Sequence, residues 1–408
     1  MEQALKGIRI CDFTGQLAGA GATKWLSAFG AEVIRIEDPV REGRWDILRG
    51  QEPFKEGQSG LDYGGGFNNH NTDKLGITLN LRTEKGKKIL TELIKISDAV
   101  TENFAAGVLD KWGFGYEQLK AIKADIVYVS NCGFGHEGPY HQYKTWGPIV
   151  QAVSGLTHTS ALPNMPPAGW GYSYMDHTGG YYMAMAIMLA LLHKQNTGEG
   201  QWVDLACTEA AVTLTGPAIL DYTVNGNKVR EQTIHSNRSQ YVPMAPHGIY
   251  ACAGEDEWIA ISARHQDDWQ KLSSVINQSW TQKFDNEDYR ISNQDELDKF
   301  MTEWTTQFNK FELQEKLRDL PIPAAAVKKP AERVDQDRIN AKRKLWPTIQ
   351  HTAMGEVRVD GQPVKLSKSN WHSSRGGPCL GEHNQDVLTR LLGYTPEQVG
   401  QLTEEGVL

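Results

Sequence analysis

Cysteine is scarce in this chain, and its five copies, Cys11, Cys132, Cys207, Cys252 and Cys379, lie far apart with no CxxC among them. That spacing argues against a zinc site or a disulfide framework and points to a reducing, cytoplasmic setting. Long apolar runs are missing too. The longest, Tyr181–Leu192, falls well short of the ~20 residues of a membrane-spanning helix. The N-terminus MEQALKGIRICDF has no basic flank before an apolar stretch, so neither membrane insertion nor Sec export is expected. Positive charge is in deficit: 42 Lys and Arg against 50 Asp and Glu give a net charge of -8, which opposes nonspecific binding to nucleic acid or anionic lipid. An acidic protein can still hold an anionic small molecule in a locally basic pocket.

Several catalytic signatures are also absent. The first strand–loop–helix unit carries Gly15, Gly19 and Gly21 and is followed by a strand ending in Glu37, much as a dinucleotide site would be. However, the third residue after Gly21 is Lys24, so GxGxxG fails, and close packing of helix on strand is the favoured account of the glycines, with a phosphate or carbonyl at the helix N-terminus still open. No GxxxxGK[ST], GxSxG or HExxH occurs, and His136-Glu137 lacks the second histidine that a metal pair would need. No metal site is expected.

What the chain has is enough length, 408 residues with 39% hydrophobic and 23% charged, for two or three units of ~150 residues. Its 12 Trp exclude disorder. Short β-like runs alternate with helical patterns from the start: Gly7–Phe13, Glu32–Glu37, Gly76–Leu81, Ala99–Phe104 and Asp125–Asn131 read as strands, Ala22–Gly30 and Thr83–Ile96 as helices. Near-continuous apolar strands alternating with helices imply an α/β core around a parallel sheet. Tyr181–His193 is apolar all round, as in a buried helix, and Gln201–Ala206 returns to strand. From about residue 226 the character changes. Gly248–Cys252 and Glu257–Ser262 read as antiparallel strands, followed by an amphipathic stretch over Gln294–Leu320 that ends at Pro321 and Pro323. Past Pro330, Asp360-Gly361 between Glu356–Val359 and Pro363–Leu366 is a hairpin signal, and residues 381–403 read as two helices broken at Gly393. The expected organisation is a large domain from 1–225 and 331–408, with a smaller α+β domain over 226–330.

One constellation stands out. In YSYMDHTGGYY, Asp176 precedes Gly179-Gly180 and the apolar helix. It can serve as the helix N-cap, pair with a cation, or act as a nucleophile over glycines that admit a substrate.

These segments together resemble the family III CoA-transferases, the group that includes formyl-CoA and carnitine CoA-transferases. The motifs, in order, are GIRICDFT with AGAGAT (7–14, 18–23), FGAEVIRIED (29–38), NTDKLGITLNLR (71–82), TENFAAGVLDKWGFG (101–115), GFGHEGPYHQYK (133–144), YMDHTGG (174–180), TGEGQWVDLACTEA (197–210) and LGEHNQDVLTRLLGY (380–394). The likeness covers nearly all of the chain except about 225–330. It implies a Rossmann-like large domain built from both chain ends, a small domain from the middle, and an interlocked dimer of two identical or paralogous chains. It places the catalytic carboxylate at Asp176, which would form a mixed anhydride and then an aspartyl-CoA thioester, with Gly179 and Gly180 giving room and N–H groups to an oxyanion. By motif position, Arg82, Lys111 and Lys144 fall on the CoA path beside Gln16, Leu17, Ala18, Leu79, Asn103 and Phe104. Acyl-CoA and a carboxylic acid would be the substrates, with coenzyme A as cosubstrate and no other cofactor.

The chain departs from the family at Leu17, where Gln is common and Gln16 stands one place earlier; at Asp38, where a cation is usual and Arg41 could substitute; and at Gly147, where formyl-CoA transferase has a carboxylate. A glycine-run lid also has no counterpart around 230–260. Thr145-Trp-Gly-Pro148 with Trp170, Tyr172 and Tyr174 suits a larger, aromatic acid and resembles the benzylsuccinate CoA-transferase branch. Two rivals remain. An α-methylacyl-CoA racemase needs a second proton-transfer group, and the stretch after Lys144 has no histidine, leaving only His177. A CoA-binding subunit dependent on a paralogous chain is the other.

Overall fold

Six strands take up the apolar runs of the first half: β1 (Arg9–Phe13), β2 (Glu32–Glu37), β3 (Leu75–Thr78), β4 (Ala99–Glu102), β5 (Val127–Cys132) and β6 (Trp202–Ala206). They form one parallel sheet in the order β3-β2-β1-β4-β5-β6. Alternate residues along each strand face opposite sides. Ile10, Val33, Ala99, Val127 and Val129 pack on the first helix, Ala18–Ala28, and the long helix Tyr174–Thr197. Cys11, Phe13, Ile34, Ile36, Val100 and Tyr128 face the helix Glu84–Lys95 and the C-terminal helices Asn384–Leu392 and Pro396–Glu404. Burial on both faces is why these strands carry little polar alternation.

The computed structural model describes residues 3–160, 165–169, 173–227, 237–238 and 242–408. It divides into a larger unit (1–157, 169–219, 339–408) and a smaller one (158–168, 220–338). The larger unit draws on both chain ends. All six strands come from residues 9–206, and the C-terminal part adds helices and a two-stranded antiparallel sheet, β10 (Thr348–His351) and β11 (Gly355–Arg358). The smaller unit has a three-stranded antiparallel sheet, β7 (His247–Ala251), β8 (Trp258–Ser262) and β9 (Ala324–Ala326), over a core that includes Trp269, Phe284 and Trp304. No described helix is long and apolar enough to cross a membrane.

Four local expectations change. The Asp360-Gly361 hairpin does not form: β11 pairs back to β10, while Asp360 takes a salt bridge from Lys24 at 2.6 Å and donates its N–H to Asn69. Long-range contacts override the turn signal. Gln294–Leu320 splits into Gln294–Thr305 and Lys310–Arg318 because Asn309 caps the second helix. The long helix is not buried all round, since Tyr181, Met185, Met188, Leu189 and Leu192 are 49–67% exposed. Its N-cap is Ser173, which puts Asp176 inside the first turn.

Under the sheet's carboxyl edge lies a buried ion network. Arg35 reaches Asp46 at 2.8 Å, Arg49 grips Glu37 through two bonds of 2.9 and 2.6 Å and reaches Asp62 at 2.8 Å, and Lys74 meets Asp12 at 3.3 Å. Asp12 also accepts from Thr14, Thr23 and Thr101. Removing one partner of such a pair strands a buried charge. Arg35→Met is expected to cost about 3–5 kcal/mol in chemical denaturation because Asp46 loses its cation. Asp46→Asn, which retains an acceptor for the backbone N–H of Leu48, should cost less.

Candidate active site

Strand order reverses between β1 and β4, and in open parallel sheets the crevice at that switch, beyond the carboxyl ends, is where ligands bind. The loop after β1 supplies Gly15 and Gln16, and the turn after β4 supplies Asn103 and Phe104. Asn103 bridges the two, accepting from the Gly15 N–H at 2.7 Å and donating to the Gly15 carbonyl at 3.1 Å. A Cβ on Gly15 would stand 2.4 Å from the Trp45 ring, so glycine is what lets Trp45 close over the crevice. Gln16, at φ 54°, turns the chain so that its side chain joins the crevice while Leu17 starts the first helix.

Two cavities meet here, sharing Trp45 and Phe104. One, of about 480 Å³, is lined by Leu79, Arg82, Arg41, Asp38, Val108 and Trp112 among others. The second, of about 250 Å³, has Gln16, Asn103, Cys132, Tyr143, Lys144 and Trp146 in its wall. Arg82 is exposed and pairs with Asp38 at 3.1 Å, so the acid at the departing position is matched by a cation from the next strand's end. Edge-on contacts of Phe104 with Trp45 (5.1 Å) and Trp112 (5.2 Å) fix the aromatic wall.

Asp176 does not line either cavity and is reached from the second through Gly147. A Cβ on Gly147 would come within 3.1 Å of its Oδ1, and Gly147 directly follows Trp146 of the cavity wall. Burial pushes the Asp176 carboxyl up to about 6, and a hydrogen bond from Ser173 opposes the rise only in part. A helix N-terminus favours a carboxylate, yet desolvation prevails here. The neighbouring thiol of Cys207, which donates to Asn131 Oδ1 at 3.0 Å, is itself raised to about 12, by burial first and then by the charge of Asp176.

The other expected site residues divide sharply. Gln16, Leu79, Arg82, Asn103, Phe104 and Lys144 line the paired cavities. Leu17 instead faces a small pocket with Lys24, His70, His177 and Asp360. Ala18 is buried with its carbonyl against Gly180: a Cβ there would sit 2.7 Å from that oxygen. Lys111 is exposed at the end of a short helix, Val108–Lys111, and Trp112 takes the place on the cavity wall. Gly179 and Gly180 lie in the second turn of the long helix, where backbone N–H groups belong to the helical ladder, so they are not placed as oxyanion donors. Gly179 makes room for Cys207 Sγ, which would be 2.7 Å from its Cβ, and Gly180 lets the first helix approach. Trp170 and Tyr172 lie outside the described residues, and Tyr174 is exposed at the start of the long helix. Sequence reasoning missed Trp45 and Trp112. The signal available was their isolation, as large aromatics outside any periodic apolar pattern.

Comparison with known proteins agrees with this architecture. A family model described as CoA-transferase family III matches residues 5–384. A formyl-CoA:oxalate CoA-transferase of Streptomyces coelicolor is 30% identical, covering 100% of this chain and 99% of its own. The beta subunit of a succinyl-CoA–L-malate CoA-transferase of Chloroflexus aurantiacus is 28% identical over 99% of this chain and 98% of its own. The crystal structure of a CAIB/BAIF family protein from Brucella suis superposes with a TM-score of 0.85 at 27% identity, covering 96% of this chain and 100% of the other. On both sequence and fold, the chain belongs to CoA-transferase family III and is a transferase enzyme.

Proposed function

We propose that this enzyme moves coenzyme A from an acyl-CoA to a carboxylic acid through Asp176. The observation that carries the reading is a half-buried carboxylate, raised to about 6, beside Gly147, which follows Trp146 in the wall of the second of two adjoining cavities. Partial desolvation makes a carboxylate a better nucleophile while leaving it mostly ionised at neutral pH. An Asp176 oxygen attacks the thioester carbonyl and expels the CoA thiolate, leaving a mixed anhydride. The thiolate attacks the Asp176 acyl carbon, the donor acid departs, and an aspartyl-CoA thioester remains. The acceptor carboxylate then attacks that thioester, the thiolate leaves again, and its return to the acceptor's acyl carbon frees Asp176. Coenzyme A is the only cosubstrate these steps require.

Arg82 and Arg41 are suited to the phosphates of CoA, with Leu79, Phe104 and Trp112 around its less polar parts. Lys144 is suited to the acceptor's free carboxylate. Tyr143, Trp146 and Trp45 beside it favour an aromatic or aryl-substituted acceptor, as in the benzylsuccinate branch, over oxalate. The exposed side chains of Tyr181, Met185, Met188, Leu189 and Leu192 support an assembled state, because monomers rarely leave so contiguous an apolar face in water. We assign that face to an interlocked dimer, either with a second copy or, as the name of the Chloroflexus beta subunit suggests by analogy, with a paralogous chain. The enzyme is assigned to the cytoplasm.

The racemase alternative is disfavoured by the direction of His177. Its ring lies 5.6 Å from His70, in the pocket of Lys24 and Asp360, and so is poorly placed to face a substrate carbon opposite Asp176. CoA exchange between two acids in deuterated water is therefore expected to leave the α-carbon free of deuterium. Rapid α-deuteration of a 2-methylacyl-CoA without an acceptor acid would overturn the transferase reading.

Asp176→Ala is expected to abolish transfer and the covalent CoA adduct detected by intact mass spectrometry, with the fold retained. In the unaltered enzyme, kcat/KM should be half-maximal near pH 6 and fall about tenfold per unit below it, because protonation removes the nucleophile. Near-normal turnover of Asp176→Ala would refute the assignment.

A further inference from the structure

On the far side of the crevice from Arg82, three side chains that sequence spacing did not connect converge at the carboxyl end of β5 and on β6 beside it. Cys132 closes β5, His136 stands on the loop that follows, and Asp204 lies in the middle of β6. His136 Nδ1 is 3.0 Å from Asp204 Oδ1 and 3.8 Å from Cys132 Sγ, and all three donor atoms lie within 4.8 Å of one another. A tetrahedral ion held at the usual bond lengths of ~2.0–2.3 Å spaces its nitrogen, oxygen and sulfur donors about 3.3–3.7 Å apart. We propose that Cys132, His136 and Asp204 form a binding site for a thiophilic divalent transition ion of the zinc class, with its fourth position open.

The surroundings favour a cation. Among the described residues neither Asp204 nor Glu102 has a lysine or arginine partner within salt-bridge distance. Glu102 is buried. A divalent ion bound there would take the Cys132 sulfur as its thiolate. The imidazole is also oriented in advance. Trp202 packs edge-on against it at 5.4 Å and 85°, and Glu102 Oε1 stands 3.8 Å from its other nitrogen. A carboxylate behind the far nitrogen of a ligating histidine is the usual outer support of such sites.

A second cluster of metal-ligating types, His265, Asp267 and Asp268, serves as a contrast. It is exposed apart from Asp268, whose carboxylate is already held by Arg264 through bonds of 2.7 and 3.1 Å. The site at Cys132 is instead half enclosed and anionic. It adjoins the second cavity, whose wall includes Cys132 and Gly133, and a bound ion there would pin the start of the loop that carries Lys144 and Trp146.

The test is titration of chelator-treated full-length protein with Co²⁺. One equivalent is expected to bind and give a cobalt–thiolate charge-transfer band. That band should vanish in Cys132→Ser, and the affinity should fall about tenfold to a hundredfold in Glu102→Gln. Zn²⁺ should raise the thermal midpoint of the unaltered protein but not that of His136→Gln, with His265→Gln behaving as the unaltered protein. Melting of each variant in chelator separates misfolding from lost binding, and Asp204→Asn replaces any variant that does not fold. No thiolate band at saturating Co²⁺, or a band that persists in Cys132→Ser, would overturn the site.

Discussion

Everything at the carboxyl edge of the sheet rests on the ion network buried beneath it. Arg35 and Glu37 belong to β2, while Asp46, Arg49, Asp62 and Lys74 come from the long excursion between β2 and β3. These bonds hold that excursion against the sheet. Trp45 immediately precedes Asp46 in sequence and lies with its ring 5.1 Å from the Arg35 guanidinium, so one of the residues shared by both cavities is held from below by charge. The same network reaches the C-terminal segment: Arg49 donates to the Pro378 carbonyl and Asp62 accepts from the Leu380 N–H. Buried ion pairs contribute little net stability once desolvation is counted. Their contribution here is geometric, since a partner moved out of place leaves a buried charge unmet.

The parts of the fold legible in the sequence were those where one physical effect dominates. Strands buried on both faces show as short apolar runs, and β1, β2, β4, β5 and β6 appeared within a few residues of their bounds for that reason. Where two effects compete, the sequence misled. Asp360-Gly361 has the composition of a tight turn, but Lys24, distant in sequence and almost wholly buried, needs the Asp360 carboxylate, and a buried amine without a counter-charge is costlier than a lost turn. The long helix reads as fully buried because every residue over Tyr181–Leu192 is apolar, yet composition cannot distinguish a core from an exposed apolar face.

The site was legible as residue types and only partly as geometry. Arg82, Asn103, Phe104 and Lys144 follow strands and loops whose ends meet at the switch point, so motif position sufficed to place them. Lys111 is turned outward by its short helix, and the positive φ of Gln16 puts Gln16 rather than Leu17 in the crevice. Gly179 and Gly180 serve close packing in the structure. A glycine pair signals that something comes close, and here the close objects are Cys207 and the Ala18 carbonyl rather than a ligand.

Under the proposed transfer mechanism, Asp176 is a position where stability is set against chemistry. Its carboxyl ordinarily titrates near 3.8 and is raised to about 6 in the folded chain. A group raised in this way costs the fold nothing below its unfolded value, where both states are protonated, and an increasing amount as pH rises from there through about 6. Above that, the folded protein carries an ionised, partly desolvated carboxylate that the unfolded chain would leave fully hydrated. The long helix could relieve the cost by placing the carboxylate at its cap, where N–H groups and the helix dipole would solvate it. Ser173 occupies that place instead. The carboxylate is thereby left half-buried in the first turn beside Gly147, and the hydrogen bond from Ser173 meets only part of its desolvation cost.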